Sequence, residues 1–265
     1  MPRFQSMKLS IPATILAVLL LGGCRHMPDR RLSPTFEAGA VSLTVKVPKE
    51  LEVTEMRVVY RSTTCTIRGY SLSSGERYER DGYQRMDVKP TQRGQTRLFE
   101  TKLPVNGGGP CRWQLSNVTF DVEYVDTSPF GEGIASGYAA GMVVIFDDNV
   151  SPHGSWDFKV DGDLTVVRDY YPWFNESFLG GHRKSISLTT NGHFYLMYKA
   201  PHARSIYFEP VLHSSFLTRS VGPKVKQPGN RTIFYYPDGS SSFETYTKPN
   251  HAKLQAIRMA AEAQH

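Results

Sequence analysis

The sequence predicts a mainly β fold, one or two β-sandwich-like domains closed by a short C-terminal α-helix. Three observations carry that prediction. First, Val41-Ser42-Leu43-Thr44-Val45-Lys46-Val47 alternates apolar and polar residues at period two, and Arg57-Val58-Val59-Tyr60 does so more weakly. Second, further β-rich runs follow at short spacing, at 83–88, 96–103, 113–125, 139–146, 164–168, 185–189, 194–198, 206–208, 232–236 and 242–247. Asp147-Asp148-Asn149, Asp161-Gly162-Asp163, Asn191-Gly192 and Asp238-Gly239 punctuate them as turns. Asn191-Gly192, set between two β-rich runs, is the strongest hairpin signal. Short strands at this spacing suit a sandwich or barrel better than a βαβ sheet. Third, one helix is convincing: Pro249-Asn250 supplies a cap, and Leu254, Ile257 and Ala261 follow at helical spacing. Its apolar stripe is thin, which suits a cover packed on a sheet edge.

Ahead of the strands, residues 1–23 read as a lipoprotein signal peptide. Residues 1–10 carry Arg3 and Lys8 with no acid, and residues 11–21 are apolar apart from Pro12 and Thr14. An apolar run of about eleven residues is too short to span a bilayer core of ~30 Å as a helix. Leu21-Gly22-Gly23-Cys24 then resembles the bacterial lipobox, in which signal peptidase cuts before the cysteine and the thiol carries diacylglycerol. The alternative, an ordinary secretory signal that contains a cysteine, needs an A-x-A type site, and none stands there. By this resemblance the mature chain starts at Cys24 and is tethered to membrane through it. Bacterial lipoproteins with Asp after the cysteine tend to stay in the inner membrane. Arg25 therefore implies the outer membrane, on its periplasmic face.

Residues 24–39 read as a lipid-anchored flexible tether, with two prolines, several charges and no apolar period. Export leaves Cys65 and Cys111 in an oxidising compartment, where two remaining thiols read as one disulfide. It closes a loop of about 47 residues, for which chain entropy gives roughly 4 kcal/mol. The formal charge of +6 falls by the charges of Arg3 and Lys8 to +4 once the signal leaves. That excess favours anionic surfaces or an acidic partner, and is too scattered to suggest nucleic acid. About 226 residues follow the tether, enough for one large or two small domains. The segment 147–154 is the expected boundary, giving a disulfide-containing β domain at 40–148 and a second β-rich domain with the helix at 149–265.

Chemistry-bearing motifs are scarce. No G-x-S-x-G occurs, and the histidines at 26, 153, 182, 193, 202, 213, 251 and 265 include no H-x-H or H-E-x-x-H pair. The glycine-rich stretch 131–137 lacks both a lysine and a following helix, so it reads as a flexible loop rather than a phosphate cradle. Asp157, Asp161 and Asp163 fall short of an EF-hand and read as turn residues. No catalytic residue, cofactor or metal is expected; a hydrolase with a dispersed site would be exposed by mutating His182 or Asp148.

Two stretches are candidate contact surface. Asp169-Tyr170-Tyr171-Pro172-Trp173-Phe174-Asn175-Glu176 gathers four aromatics around a proline, more than strand alternation buries on one face. Tyr170, Tyr171, Trp173 and Phe174 read either as interface anchors or as a core plug beneath a loop. The stretch 219–231 is a basic loop whose Arg219, Lys224, Lys226 and Arg231 read either as partner contacts or as a solvated hairpin tip.

Val58-Val59-Tyr60-Arg61-Ser62 leads into Cys65, and Leu103-Pro104-Val105-Asn106-Gly107-Gly108-Gly109-Pro110-Cys111-Arg112-Trp113-Gln114-Leu115 surrounds the second cysteine. Over roughly residues 55–125, with the lipobox, the chain resembles the lipoprotein immunity proteins that accompany type VI secretion lipase effectors. The resemblance implies a non-catalytic periplasmic protein that binds and inhibits a phospholipase toxin, with no inhibitory residue carried over. Long loops at 126–138 and 219–231 would then reach the enzyme cleft. The alternative is an accessory lipoprotein of an envelope secretion or assembly machine.

Overall fold

The computed structural model describes residues 29–149, 157–190, 195–243 and 248–264. Cys24, the signal segment and the Asn191-Gly192 hairpin signal lie outside the described residues. The first half forms β1 (Thr35–Lys46), β2 (Leu51–Val53), β3 (Met56–Tyr70), β4 (Arg77–Val88), β5 (Thr91–Gln92), β6 (Leu98–Gly108), β7 (Trp113–Tyr124), β8 (Ala135–Ser136) and β9 (Ala140–Ile145). The second contributes β10 (Phe158–Lys159), β11 (Leu164–Ser177), β12 (Arg183–Thr189), β13 (Tyr195–Lys199), β14 (Ser205–Leu212), β15 (Thr218–Val221), β16 (Ile233–Tyr235), β17 (Ser241–Phe243) and the helix α1 (His251–Glu262). The protein is mainly β, as the patterning predicts, with a large curled sheet and one short C-terminal helix.

Pairing arranges these strands in two layers. One runs β4, β3, β7, β9, β13, β10, with β2 beside β7 where β3 does not reach. The other runs β5, β6, β1, β14, β11. The β6–β7 hairpin connects them, with Asn106 opposite Gln114 and Gly108 opposite Trp113. Phe120 on β7 meets Phe208 on β14 edge to face at 5.7 Å, and the Tyr60 hydroxyl on β3 donates to the Pro104 carbonyl on β6 at 2.9 Å. Alternation does what it predicts: Val41, Leu43 and Val45 of β1 turn inward, as do Ile206 and Phe208 of β14.

The expected boundary at 147–154 does not separate two cores. β1 pairs in parallel with β14, and β9 with β13. One core holds Leu43, Val58, Leu103 and Phe120 from the first half with Leu164, Leu196, Ile206 and Phe208 from the second. Each half leaves a sheet edge that the other completes, so the 40–148 and 149–265 segments fold as parts of one core.

The Cys65–Cys111 disulfide forms, with Cα atoms 5.3 Å apart. It sits in a bulge where the β3–β4 register shifts between Ser62 and Ile67. The buried Ser62 hydroxyl holds that bulge, accepting from the Thr64 and Cys65 amides and donating to the Cys111 carbonyl at 2.5 Å. Gly82 is required opposite, because a Cβ there would lie 1.8 Å from the Cys65 carbonyl oxygen.

The tether expected at 24–39 is shorter than its composition implies. From Asp29 onward the chain is docked, and β1 begins at Thr35. The Ser33 amide donates to the Gly107 carbonyl at 2.9 Å, and Arg30 donates to the carbonyls of Cys65 and Thr66 at 2.6 and 3.2 Å. Gly108, at φ 65°, admits this segment: a Cβ there would stand 2.0 Å from the Ser33 carbonyl oxygen.

β11 crosses between sheets. Its Leu164–Tyr170 part pairs with β14, and from Tyr171 to Ser177 it pairs with β12 and β15 in a second sheet ordered β8, β12, β11, β15, β16, β17. Helix α1 covers the outer face of this second sheet. Leu254 packs on Tyr171, Trp173, Phe234 and Tyr236. Asn250 caps the helix by accepting from the Lys253 amide at 3.1 Å. The Asp169 carboxylate pins it, accepting from Gln255 at 2.8 Å and pairing with Arg258 at 3.5 Å while lying 2.7 Å from His213 Nε2.

Candidate functional site

The second sheet brings together the two contact stretches that the sequence singles out, in different roles. Tyr170, Tyr171, Trp173 and Phe174 are all buried, which corrects their reading as partner contacts. Strand alternation still holds: Tyr170 and Phe174 face the main core, while Tyr171 and Trp173 face the cluster under α1. Both faces of the strand are covered, so a consecutive aromatic run is accommodated without a loop. The Trp173 indole N–H donates to Ser220 Oγ at 2.7 Å, and Ser220 donates to Asn175 at 2.8 Å, which locks β11 to β15.

The basic stretch is the exposed partner of that buried support. Arg219 lies in β15, which pairs in parallel with β11 (Phe174 opposite Arg219), rather than in a loop. Lys224, Lys226 and Arg231 stand exposed on the connection that follows, where Val221 of β15 pairs with Ile233 of β16. The Arg219 guanidinium lies 5.0 Å from the Phe174 ring centre, and the Lys224 ammonium 5.5 Å from that of Phe178. Such contacts contribute about 0.5–1 kcal/mol each at exposed sites. They seat the charged heads over aromatic faces at the surface of the sheet.

Phe178 stacks on His182 with centroids 4.9 Å apart and planes 1° from parallel. His182 Nε2 lies 2.7 Å from Glu176 Oε1, with Lys184 at 4.0 Å from the same oxygen. Between these side chains and the glycine-rich loop lies a cleft of about 690 Å³, bordered by Gly133, Gly137, Tyr138, Asn175, Arg183 and Lys184. The loop is fastened to β12: Ala135 pairs with Ser185, the Gly137 amide donates to the Ile186 carbonyl at 2.8 Å, and the Tyr138 amide donates to Ser187 Oγ at 2.9 Å. Tyr138 stacks on Trp173 at 6.5 Å, joining the cleft wall to the aromatic support.

The result is a shallow, mainly basic surface in which His182 and Lys184 flank Glu176, Arg183 lines the cleft, and Arg219 and Lys224 sit on the neighbouring Phe174 and Phe178 rings. Its chemistry suits binding of carboxylates or other anions by charge and hydrogen bonding. His182 and Asp148 do not form a pair, since His182 engages Glu176 and Asp148 engages Lys199 at 2.5 Å. Among the described residues, no three His, Cys, Asp or Glu side chains group as metal ligands.

Sequence reasoning misses His182-Arg183-Lys184 and the 133–138 wall as parts of one site. The run of three basic-capable residues after Gly180-Gly181 is visible in the sequence. Its meeting with residue 133 depends on the β8–β12 pairing, which local patterning does not encode. Comparison of the chain with family profiles, with curated proteins and with solved structures returns no match.

Proposed function

We propose that this chain is a lipid-anchored envelope protein that neutralises a toxin by binding it, the toxin being a phospholipase delivered by type VI secretion. One observation carries the reading. Residues 133–138 and 182–185, far apart in sequence, border one cleft with Arg183 and Lys184 in its lining, and Lys224 reaches its His182 side through the Phe178 ring. A rigid sheet with charged loops at its rim is the architecture of a recognition surface, where electrostatic complementarity sets on-rate and partner choice. Anchoring at Cys24 raises the local concentration where a phospholipase meets its substrate. The internal disulfide suits an oxidising compartment.

The test is direct. The full chain, purified with the phospholipase encoded beside its gene, is expected to form a one-to-one complex in which lipase activity is lost. Separate migration with undiminished lipase activity would exclude inhibition and leave the accessory-lipoprotein role.

A further inference from the structure

We propose that the tip of the β3–β4 hairpin inserts into the headgroup layer of the membrane that carries the lipid anchor, so the protein stands on the bilayer in a fixed orientation. The proposal rests on acylation of Cys24, part of the functional reading above.

The hairpin projects from the body. β3 pairs with β7 only through Arg61, and beyond Ser62 its pairing is with β4 alone. A two-stranded ribbon in water is marginally stable by itself. Here its root is fastened by the Cys65–Cys111 disulfide and by Arg30, which bonds the Cys65 and Thr66 carbonyls. The side chains at the end are ones that a solvated tip does not need. Leu72 is 96% exposed, Tyr70 59% and Tyr78 41%, and Tyr78 lies across Gly69 with Arg80 5.5 Å from its ring centre. Tyrosine rings with arginines just behind them match the interfacial zone of a bilayer, where an aromatic sits at headgroup level and guanidinium reaches phosphate.

The anchor segment leaves the structure at the same root. Asp29 lies beside the disulfide, its carbonyl oxygen 3.6 Å from Cys111 Sγ. From Asp29 back to Cys24 the chain extends by at most about 18 Å. From Cys65 to Tyr70 the strand rises by roughly 17 Å. Lipid and hairpin tip therefore start together and reach equally far, which allows both to meet one plane. The charges along the hairpin balance, with Arg68, Arg77 and Arg80 against Glu76, Glu79 and Asp81, and Arg68 pairs with Glu79 at 3.1 Å. Docking is thus apolar and aromatic, and is expected to be insensitive to salt and to anionic lipid.

Limited trypsin digestion tests this on the full-length protein reconstituted in two kinds of vesicle, phosphatidylcholine alone and phosphatidylcholine with phosphatidylglycerol. Mass spectrometry reads cleavage after Arg77 and Arg80 against cleavage after Lys224 and Lys226, and weighs the N-terminal peptide in the same digest. The expected result is acylated Cys24 with hairpin cleavage slowed about tenfold relative to a Leu72→Asp/Tyr70→Ser variant, equally in both vesicles; tenfold corresponds to ~1.4 kcal/mol of docking. Acylated protein cut at the hairpin as fast as the variant would overturn the docking and leave the anchor standing. Protection only with phosphatidylglycerol would overturn the apolar mode. An unacylated Cys24 would overturn the anchor and the proposal with it.

Discussion

Replacing Cys65 and Cys111 together by alanine is expected to lower the free energy of unfolding by about 4 kcal/mol, the chain-entropy value for a loop of this length. Both half-cystines are buried, so the double variant avoids a free thiol but loses core contacts as well. The structural reach exceeds the bond itself. The Ser62 hydroxyl bridges the bulge of β3 to the Cys111 carbonyl, Arg30 binds the Cys65 carbonyl, and Ser33 binds Gly107 beside the same turn. Opening the disulfide should therefore free the 29–34 segment and the hairpin root before the main core melts. Urea unfolding gives the energy, and amide exchange of Thr64–Ile67 gives the order of events. A loss under about 1 kcal/mol with unchanged exchange would contradict the clamp.

Leu254→Ala is expected to cost about 3 kcal/mol, in the range for deleting a fully buried leucine side chain. A 12-residue helix has little stability of its own in water, so α1 stays folded because it is docked. Undocking exposes Tyr171 and Trp173 and should shift Trp173 fluorescence to the red. The same docking carries a pH dependence with a definite sign. Burial lowers the His251 pKa below 6.5, against the neighbouring Asp169 charge, which raises it. The unfolded histidine then takes up a proton first, so docking weakens as pH falls below about 6.5. Burial works against the Asp169 charge, yet hydrogen bonds from Gln255 and His213 hold its carboxyl below the ordinary value of 3.8. Its contribution is present above about pH 4 and is lost as pH falls further. His251→Phe should remove the first step and leave the second. A flat profile from pH 7 to pH 5 in the native chain would refute the assignment to His251.

What the sequence reveals divides along physical lines. Val41, Leu43 and Val45 alternate because one face of β1 is buried and the other is not, and that asymmetry is written locally. The helix is legible through its Asn250 cap and the spacing of Leu254 and Ile257, and the disulfide through the expectation of export, which leaves two cysteines to pair. The continuation of β11 through Tyr170–Ser177 is not legible, because burial on both faces erases the alternation that marks a strand. Its second cover, α1, lies some eighty residues downstream. The same limit hides the shared core: that β1 completes β14 is a pairing between distant segments with no local sign. The docked 29–34 segment reads as a tether from its proline and charges, whereas its order comes from carbonyls and amides, which composition does not show. The basic residues are recognisable as candidate contacts because exposed charge needs no context, yet the cleft beside His182 and Arg183 exists only through the β8–β12 and β11–β12 pairings.

The central claim is that the cationic cleft binds an acidic face of a lipase toxin. Titrating the adjacent-gene phospholipase with the full chain, against an Arg183→Glu/Lys184→Glu variant, tests it most directly. Both side chains are exposed, so the variant should melt like the parent. The parent is expected to inhibit at one-to-one stoichiometry, and the variant to need about a hundredfold more protein, as two reversed contacts at roughly 1.4 kcal/mol each give. Equal inhibition by parent and variant would remove the cleft from the interface, and a parent without effect on the lipase would contradict the toxin-binding function itself.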